Sequence, residues 1–428
     1  MTMLTVGSQI IGEVIDVDYK GQGVIKHEGY VIFVPKLLTN EVAKVEIVSL
    51  KKSFCIGKII DIIHKSQERV HDDVSLDALD LYHMSLEEQL RWQQNITKVT
   101  FKKIADIDLE LNPIIHDNKD VYYRNKSVFH IFNDHVLRFG LYDTTKNDLI
   151  EVDHYVLSDQ VTNKILKFLV HKQFHIEKNA LTHLVIRTNL KQELLITFVS
   201  KKEDVRGLNQ IISELHAFEE IVGITLNINR NHKVILGDNS KIIYKGNLIN
   251  ERLNSLDIPI SDQAFFQINL PVATKAFEVI KEDLKQTDII LDAYSGIGSI
   301  GYFIYDKVKK VIMVESNKQN IILAKDIKQR YMIKNVDIIH ERAERFKTHQ
   351  SIHKVICDPP RNGLMPEFIH MLKEAKPLKI YYLSCDVKTL ARDILSLKDE
   401  YEIEYAYPIK MFYHTTSIET LVILKLKK

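Results

Sequence analysis

From Asp288 to the C-terminus, short apolar runs alternate with stretches of helical patterning. The runs are Ile289-Ile-Leu-Asp292, Val311-Ile-Met-Val-Glu315, Val336 to Ile339, Val355-Ile-Cys-Asp358 and Ile380-Tyr-Tyr-Leu383. Near-continuous runs of β-branched and aromatic residues, each followed by a turn and a helix, imply an α/β fold with a buried parallel sheet. Tyr405 to Ile409 and Glu419 to Leu426 can close that sheet. The pattern also locates chemistry, because ligands of an open α/β sheet sit outside the carboxyl ends of its strands.

Several residues at those ends stand out. Asp292 to Gly298 is a strand end running into a Gly-x-Gly turn, where small residues let a ligand approach the backbone and a helix N-terminus adds donors. A turn made only for packing would look the same. Glu315 ends the next strand, where a carboxylate can bind both hydroxyls of a ribose. Gly296, Gly298 and Gly301 have the spacing of a dinucleotide fingerprint, so the glycines alone admit NAD as well as an adenosyl ligand. An adenosyl ligand such as S-adenosylmethionine is the expectation preferred here to NAD, and the motifs that follow carry that preference. Asp358-Pro-Pro-Arg361 follows the fourth strand. Its prolines stiffen the loop, and Arg361 offers a fork suited to a phosphate or a base carbonyl. The fifth strand runs into Ser384-Cys385-Asp386. A lone cysteine is most often a buried structural thiol. At a strand's carboxyl end, beside the other motifs and with Glu419 downstream, Cys385 reads as a nucleophile.

Residues 1–65 read as five short strands with glycine turns, a small β-barrel. Residues 66–85, with Asp72, Asp73, Asp77 and Asp80, read as an acidic linker, and a helix follows with Leu86, Leu90, Val99 and Ile104 near helical spacing. Residues 120–255 form a mixed region. Within it Val185 to Thr188 and Leu194 to Val199 read as strands and Asn209 to Ile221 as a helix. After Pro271 a helix places Ala273, Phe277, Ile280 and Leu284 on one face. The 428 residues exceed one ordinary core and imply two or three domains. The formal net charge is +1, and residues 1–65 carry 8 Lys and 7 acidic residues, so a nucleic-acid site must be a local patch. No apolar run reaches membrane-spanning length, and no leader pattern is visible at the N-terminus. The three scattered cysteines suit neither disulfides nor a thiolate metal site, which points to a reduced, cytoplasmic protein.

Beyond these readings, the chain resembles the RNA uridine-5-methyltransferases over nearly its whole length. Residues 1–65 are similar to the TRAM barrel, an RNA-binding module, through Gly21-Gln-Gly-Val24 and Val31-Ile-Phe-Val-Pro35. Tyr123-Arg-Asn-Lys126 matches the start of the family's central region. Phe265-Phe-Gln-Ile-Asn269, Leu291-Asp-Ala-Tyr-Ser-Gly296, Asp358-Pro-Pro-Arg-Asn-Gly363, Ser384-Cys385 and Ser417-Ile-Glu419 match its motifs in order. The resemblance implies a Rossmann-like S-adenosylmethionine methyltransferase domain at residues 263–428. It implies a barrel at 1–65, a linker and helix at 66–119, and a central α+β RNA-binding region at 120–262. It assigns S-adenosylmethionine to Gln267, Tyr294, Glu315 and Asp358, nucleophilic attack to Cys385 and base catalysis to Glu419. Many members carry a four-cysteine iron–sulfur motif after the barrel. Residues 71–83 contain no cysteine, so no cluster and no other metal is expected. Ser295, Asp386-Val387 and Ser417 depart from frequent family residues, which bears on target and rate more than on reaction class. The expected partner is RNA, ribosomal by the presence of the barrel, with transfer RNA as the alternative; the chain is taken as a monomer with no membrane association. Two competing readings remain: a catalytically quiet RNA-binding protein, against which Cys385 and Glu419 argue, and a base-nitrogen methyltransferase, against which Arg361 in place of an aromatic argues.

Overall fold

The computed structural model describes all residues except 1–3, 72–73, 133, 144–147, 232 and 349. Asp72 and Asp73 of the acidic stretch lie outside the described residues. Strands β1 (Gln9–Val17), β2 (Gln22–His27), β3 (Tyr30–Pro35), β4 (Val42–Leu50) and β5 (Cys55–His64) close a barrel in the order β1-β2-β3-β5-β4. Alternation along each strand turns Val14, Ile25, Ile32, Val34, Val45 and Ile47 inward, and all are buried. Val17 and Leu38 instead join a core containing Trp92, Val387 and Ile418, so the barrel is packed onto the rest of the chain.

Residues 66–85 are not a free linker. Arg69 forms an ion pair with the fully buried Glu41 at 2.7 Å, and that carboxylate also accepts Leu38 N–H and Ser66 N–H. Lys36 Nζ donates to the carbonyls of Leu79 and Val74 at 2.7 and 3.0 Å. These cations satisfy buried acceptors, which a count of acidic residues along the stretch does not show.

Helix α1 (Leu86–Ala105) is capped by Ser85, whose side chain accepts Glu88 N–H. Its buried face is Gln89, Trp92, Gln93, Ile96, Thr97, Phe101 and Ala105. Of the apolar positions expected there, Val99 and Ile104 are both 37% exposed. The glutamines are buried because their amides have work there: Gln89 donates to Met84 O and Gln93 to Ile409 O, each at 2.9 Å. Hydrophobic periodicity misses a face whose buried side-chain amides donate to distant carbonyls.

The central region is a seven-stranded mixed sheet, β12-β11-β10-β9-β6-β7-β8. Its strands are β6 (Lys126–Ile131), β7 (Phe139–Tyr142), β8 (Leu149–Glu151), β9 (Leu181–Thr188), β10 (Leu194–Ser200), β11 (Ile221–Ile228) and β12 (Asn239–Lys245). Helices α2 (Gln160–His171) and α3 (Leu208–Leu215) cover it through Ile165, Leu169, Ile211 and Leu215. The helix expected to reach Ile221 ends at Leu215, because Ile221 opens β11 and pairs with Leu194 of fully buried β10. A ribbon, β13 (Leu248–Leu253) and β14 (Leu256–Ser261), leads into α4 (Leu270–Glu282), which buries Ala273, Phe277 and Ile280 as expected.

The C-terminal sheet holds β15 (Ile289–Ala293), β16 (Lys310–Glu315), β17 (Val336–His340), β18 (Lys354–Cys357), β19 (Lys379–Ser384), β20 (Tyr401–Ile409) and β21 (Glu419–Leu426). Helices α5 (Ser299–Ile304), α6 (Lys318–Arg330), α7 (Pro366–Ala375) and α8 (Val387–Leu397) connect them. The order is β17-β16-β15-β18-β19-β21-β20, parallel from β17 to β19 and antiparallel at β21 and β20. The chain works outward from β15 to β17, then returns to β18 on the other side of β15. That reversal opens the crevice in which α/β sheets bind ligands. Among the described residues no helix is long and apolar enough to cross a membrane.

Candidate active site

Every residue assigned from the sequence lies at the carboxyl-end edge of this sheet or in a loop against it. Tyr294 follows β15, Glu315 ends β16, Asp358 follows β18 and Cys385 follows β19. Glu419 arrives differently. β21 runs antiparallel to β19 with Thr420 opposite Ser384, so the start of β21 lies at the edge where β19 ends. The strand reversal thus brings Glu419 beside Cys385 although 33 residues separate them.

Gln267 comes from the loop before α4. Asn125 fixes that loop: its side chain donates to Gln267 O at 2.8 Å and its N–H to Ile268 O at 3.1 Å. Gln267 Nε2 in turn donates to Asp358 Oδ2 at 3.3 Å. The loop after Asp358 is held from below by buried Asp393, which accepts Leu364 N–H at 2.7 Å and the Tyr382 hydroxyl at 2.8 Å. Gly363 (φ +76°) lies so close that a Cβ there would meet Asp393 Oδ2 at 2.4 Å, so only glycine fits.

The turn after β15 is fastened by two acidic side chains. Buried Asp292 accepts Gly301 N–H, and Glu315 accepts Gly296 N–H, both at 2.9 Å. Tyr294 adopts φ +60° and donates its hydroxyl to Glu344 at 3.0 Å. Burial first, and then Glu344, raises that phenol's pKa. Tyr294 therefore lines the cleft on the α7 side, its ring edge-on to Phe368. Glu344 belongs to no motif, and no sequence signal marks it. Asn125 and Asp292 sit inside recognised motifs and gain their roles only from these bonds.

Electrostatics unite the group. Burial pushes Asp358 up to about 6, against the pull of the Gln267 amide. Burial, and after it Asp358, pushes Glu419 well above the carboxylate range; Glu419 is 7% exposed. Burial pushes Asp292 up to about 8, the Gly301 bond opposing and Asp358 and Glu315 adding. Cys385 is pushed up to about 11, first by burial and then by Glu419 and Asp358, while Arg361 pulls the other way. At neutral pH the free site thus favours a Cys385 thiol and neutral Asp292 and Glu419 carboxyls, with Asp358 ionised above about 6, a crowding of buried acid that a bound cation would relieve.

S-Adenosylmethionine fits this site. A side chain added at Gly296 would meet nothing within 4 Å, so the turn is open to a ligand. A sulfonium answers the crowded carboxyls, and Glu315 keeps acceptor capacity for ribose hydroxyls. Among the described residues no group of three or more His, Cys, Asp or Glu side chains is arranged to hold a metal ion. Cys55 and Cys357 are buried and Cys385 is half-buried, all free thiols.

The strand-switch crevice, with a thiol and a carboxyl side by side at its edge, is the fold and site of an α/β enzyme that binds its ligand at the carboxyl ends of the strands. The family model for tRNA (uracil-5-)-methyltransferases matches residues 81–427, and the chain belongs to that family. It is an S-adenosylmethionine-dependent RNA (uracil-5-)-methyltransferase. An uncharacterized RNA methyltransferase of Oceanobacillus iheyensis is 32% identical, over 96% of this chain and 95% of its own. One from Staphylococcus aureus strain N315 is 30% identical, over 97% and 98%. The crystal structure of Pyrococcus abyssi tRNA (uracil-54, C5)-methyltransferase in complex with S-adenosyl-L-homocysteine superposes with a TM-score of 0.77. It covers 97% of this chain and 100% of its own at 24% identity, a likeness of fold.

Proposed function

We propose that Cys385 is the nucleophile and Glu419 the base of uridine methylation, with Gln267, Tyr294, Glu315 and Asp358 holding S-adenosylmethionine. The observation that carries this reading is the register of β21 against β19, which sets a buried carboxyl beside a half-buried thiol. Bound S-adenosylmethionine supplies an electrophilic methyl group on a sulfonium. Carbon 5 of uracil is too weak a nucleophile to take it unaided. The Cys385 thiolate adds to carbon 6, and the electrons pushed into the ring make carbon 5 nucleophilic. After methylation, Glu419 removes the proton on carbon 5, the double bond re-forms and the thiolate leaves.

A thiol held near 11 is almost wholly protonated at neutral pH. Arg361 is the neighbouring cation that favours its thiolate. Asp386 accepts the first amides of α8, at 2.9 and 3.0 Å, and so already occupies that helix terminus. A cation bound beside Asp358 would lower Asp358 and Glu419 together, which readies Glu419 to accept a proton.

Ribosomal RNA is the proposed substrate. Transfer RNA is the second reading, favoured by the family's description and by the Pyrococcus protein, which is named for a tRNA and aligns over nearly all of this chain. Nucleoside analysis of ribosomal and transfer RNA from a deletion strain, with mapping of the lost methyl, tests the assignment. Loss of 5-methyluridine from ribosomal RNA supports it, and loss from transfer RNA alone overturns it. A cytoplasmic location and a monomeric state complete the proposal, the latter checked by light scattering.

A further inference from the structure

The turn between β1 and β2 extends from the barrel to the catalytic edge. Trp92 Nε1 donates to Asp18 O at 3.0 Å. A Cβ on Gly21 (φ +73°) would lie 2.7 Å from Leu81 and 3.2 Å from Thr416, in the segment just before Glu419. Val17 shares a core with Val387 and Ile418, which flank Cys385 and Glu419 in sequence. The Asp18 carboxylate is used within the turn, accepting Lys20 N–H at 2.9 Å and Gln22 N–H at 2.8 Å. The turn is therefore rigid and seated, and Tyr19 at its tip is set by it.

Tyr19 remains 46% exposed, a large share for an aromatic ring beside a catalytic cleft. Lys388, three residues beyond Cys385, places its ammonium 3.6 Å from the centre of that ring, and Lys20 lies 5.7 Å from the same centre. Among the described residues, no carboxylate forms an ion pair with Lys388, Lys20 or Arg361. A cation close to the ring centre fixes the ring's orientation, and the exposed remainder of Tyr19 is surface on which a base can stack. Unpaired cations beside an open aromatic surface form the basic equipment for single-stranded RNA: stacking for a base and charge for its phosphate.

We propose that Tyr19, steadied by Lys388, is the platform on which the nucleotide adjacent to the target uridine stacks, with Lys388, Lys20 and Arg361 taking the flanking phosphates. This rests on the reading that the Cys385 edge acts on an RNA uridine. It gives the barrel a direct part in the catalytic cleft, and it requires the RNA around the uridine to be unpaired. Stacking on a ring tolerates any base, so Tyr19 selects for strand geometry more than for sequence.

The test is equilibrium binding of a fluorescein-labelled oligouridylate about twelve nucleotides long, against an RNA duplex of equal length. Tyr19→Ala should weaken single-strand binding on the order of tenfold and leave duplex binding and S-adenosylmethionine affinity unchanged. Tyr19→Phe and Tyr19→Trp should bind like wild type. Lys388→Ala should lower the slope of log affinity against log salt by about one. Equal binding by wild type and Tyr19→Ala, equal losses for Phe and Ala, or equal losses for both RNAs would overturn the platform. Should Tyr19→Ala fail to fold, irradiation of wild-type protein with RNA carrying 5-iodouridine decides: a cross-linked peptide containing Tyr19 supports the proposal, and cross-links elsewhere only defeat it. Wild-type protein that methylates no RNA while still giving the Tyr19 cross-link would overturn the uridine reading and not the platform.

Discussion

Asp358 gives the clearest handle on how the site accepts a cation. Burial pushes this carboxyl from an ordinary 3.8 up to about 6. A sulfonium bound alongside favours the carboxylate and returns the group toward its ordinary range. Recovering about two pKa units corresponds to about 3 kcal/mol, on the order of 100-fold in affinity. Asp358 keeps some solvent exposure in the cleft, which screens the interaction and reduces the expected effect to about tenfold. The sign follows from linkage. Above pH 6 the free site already holds the carboxylate and affinity is flat. Below pH 6 the free site is protonated, binding must release that proton, and affinity falls as pH falls. S-Adenosylhomocysteine carries no positive sulfur and should show a much flatter profile. Calorimetric titration of both ligands from pH 5 to 7, in two buffers of different ionisation enthalpy, measures the affinity and the proton released. Parallel profiles for the two ligands, or no proton release with S-adenosylmethionine near pH 6, would refute the reasoning.

Three further outcomes follow from the same structure. Lys410 is 1% exposed, its Nζ has no hydrogen-bond partner, and burial pushes it from 10.5 down to about 7. A lysine depressed in the folded state costs stability that is absent above the unfolded pKa, grows as pH falls toward 7, and is complete below it. Lys410→Met should therefore be more stable at pH 7 by on the order of 3 kcal/mol, with the gap closing by pH 10 in denaturant titrations; a gap that widens with pH contradicts this. Asp393→Ala should leave the buried Tyr382 hydroxyl and Leu364 N–H unpaired, cost about 2–4 kcal/mol, and raise the KM for RNA by loosening the Asp358–Gly363 loop; an unchanged KM in a folded variant argues against that coupling. Protein purified without oxygen should be colourless and hold no stoichiometric iron, and elemental analysis near four irons per chain would defeat that expectation.

How much of this was legible in the sequence depended on the kind of signal. Cys385, Asp358 and Glu315 could be read because each ends a buried strand, and a parallel α/β sheet gathers those ends at one edge. Glu419 was reachable through the resemblance alone, since its approach depends on β21 running against β19. The buried face of α1 was misread because Gln89 and Gln93 are interior for their hydrogen bonds and not for their hydrophobicity. The stretch at 66–85 looked like a linker because its fastening, Arg69 on Glu41 and Lys36 on two carbonyls, joins distant residues. Glu344 carries no local pattern and is defined only by the Tyr294 hydroxyl that meets it. No local pattern marks Tyr19, because the Lys388 ammonium over its ring comes from a distant part of the chain.

The central claim is that Cys385 acts before methyl transfer and Glu419 after it. It is tested most directly by incubating Glu419→Gln protein with RNA and methyl-labelled S-adenosylmethionine, then separating on a denaturing gel. Glutamine keeps the shape at this buried position and cannot take the carbon 5 proton, so the adduct forms, accepts the methyl and is trapped. The account predicts a labelled protein–RNA band that survives denaturation. It predicts no such band with Cys385→Ala or with the double variant, and it predicts unimpaired S-adenosylmethionine binding by Cys385→Ala. Wild-type turnover by Glu419→Gln, or 5-methyluridine made by Cys385→Ala, would contradict it.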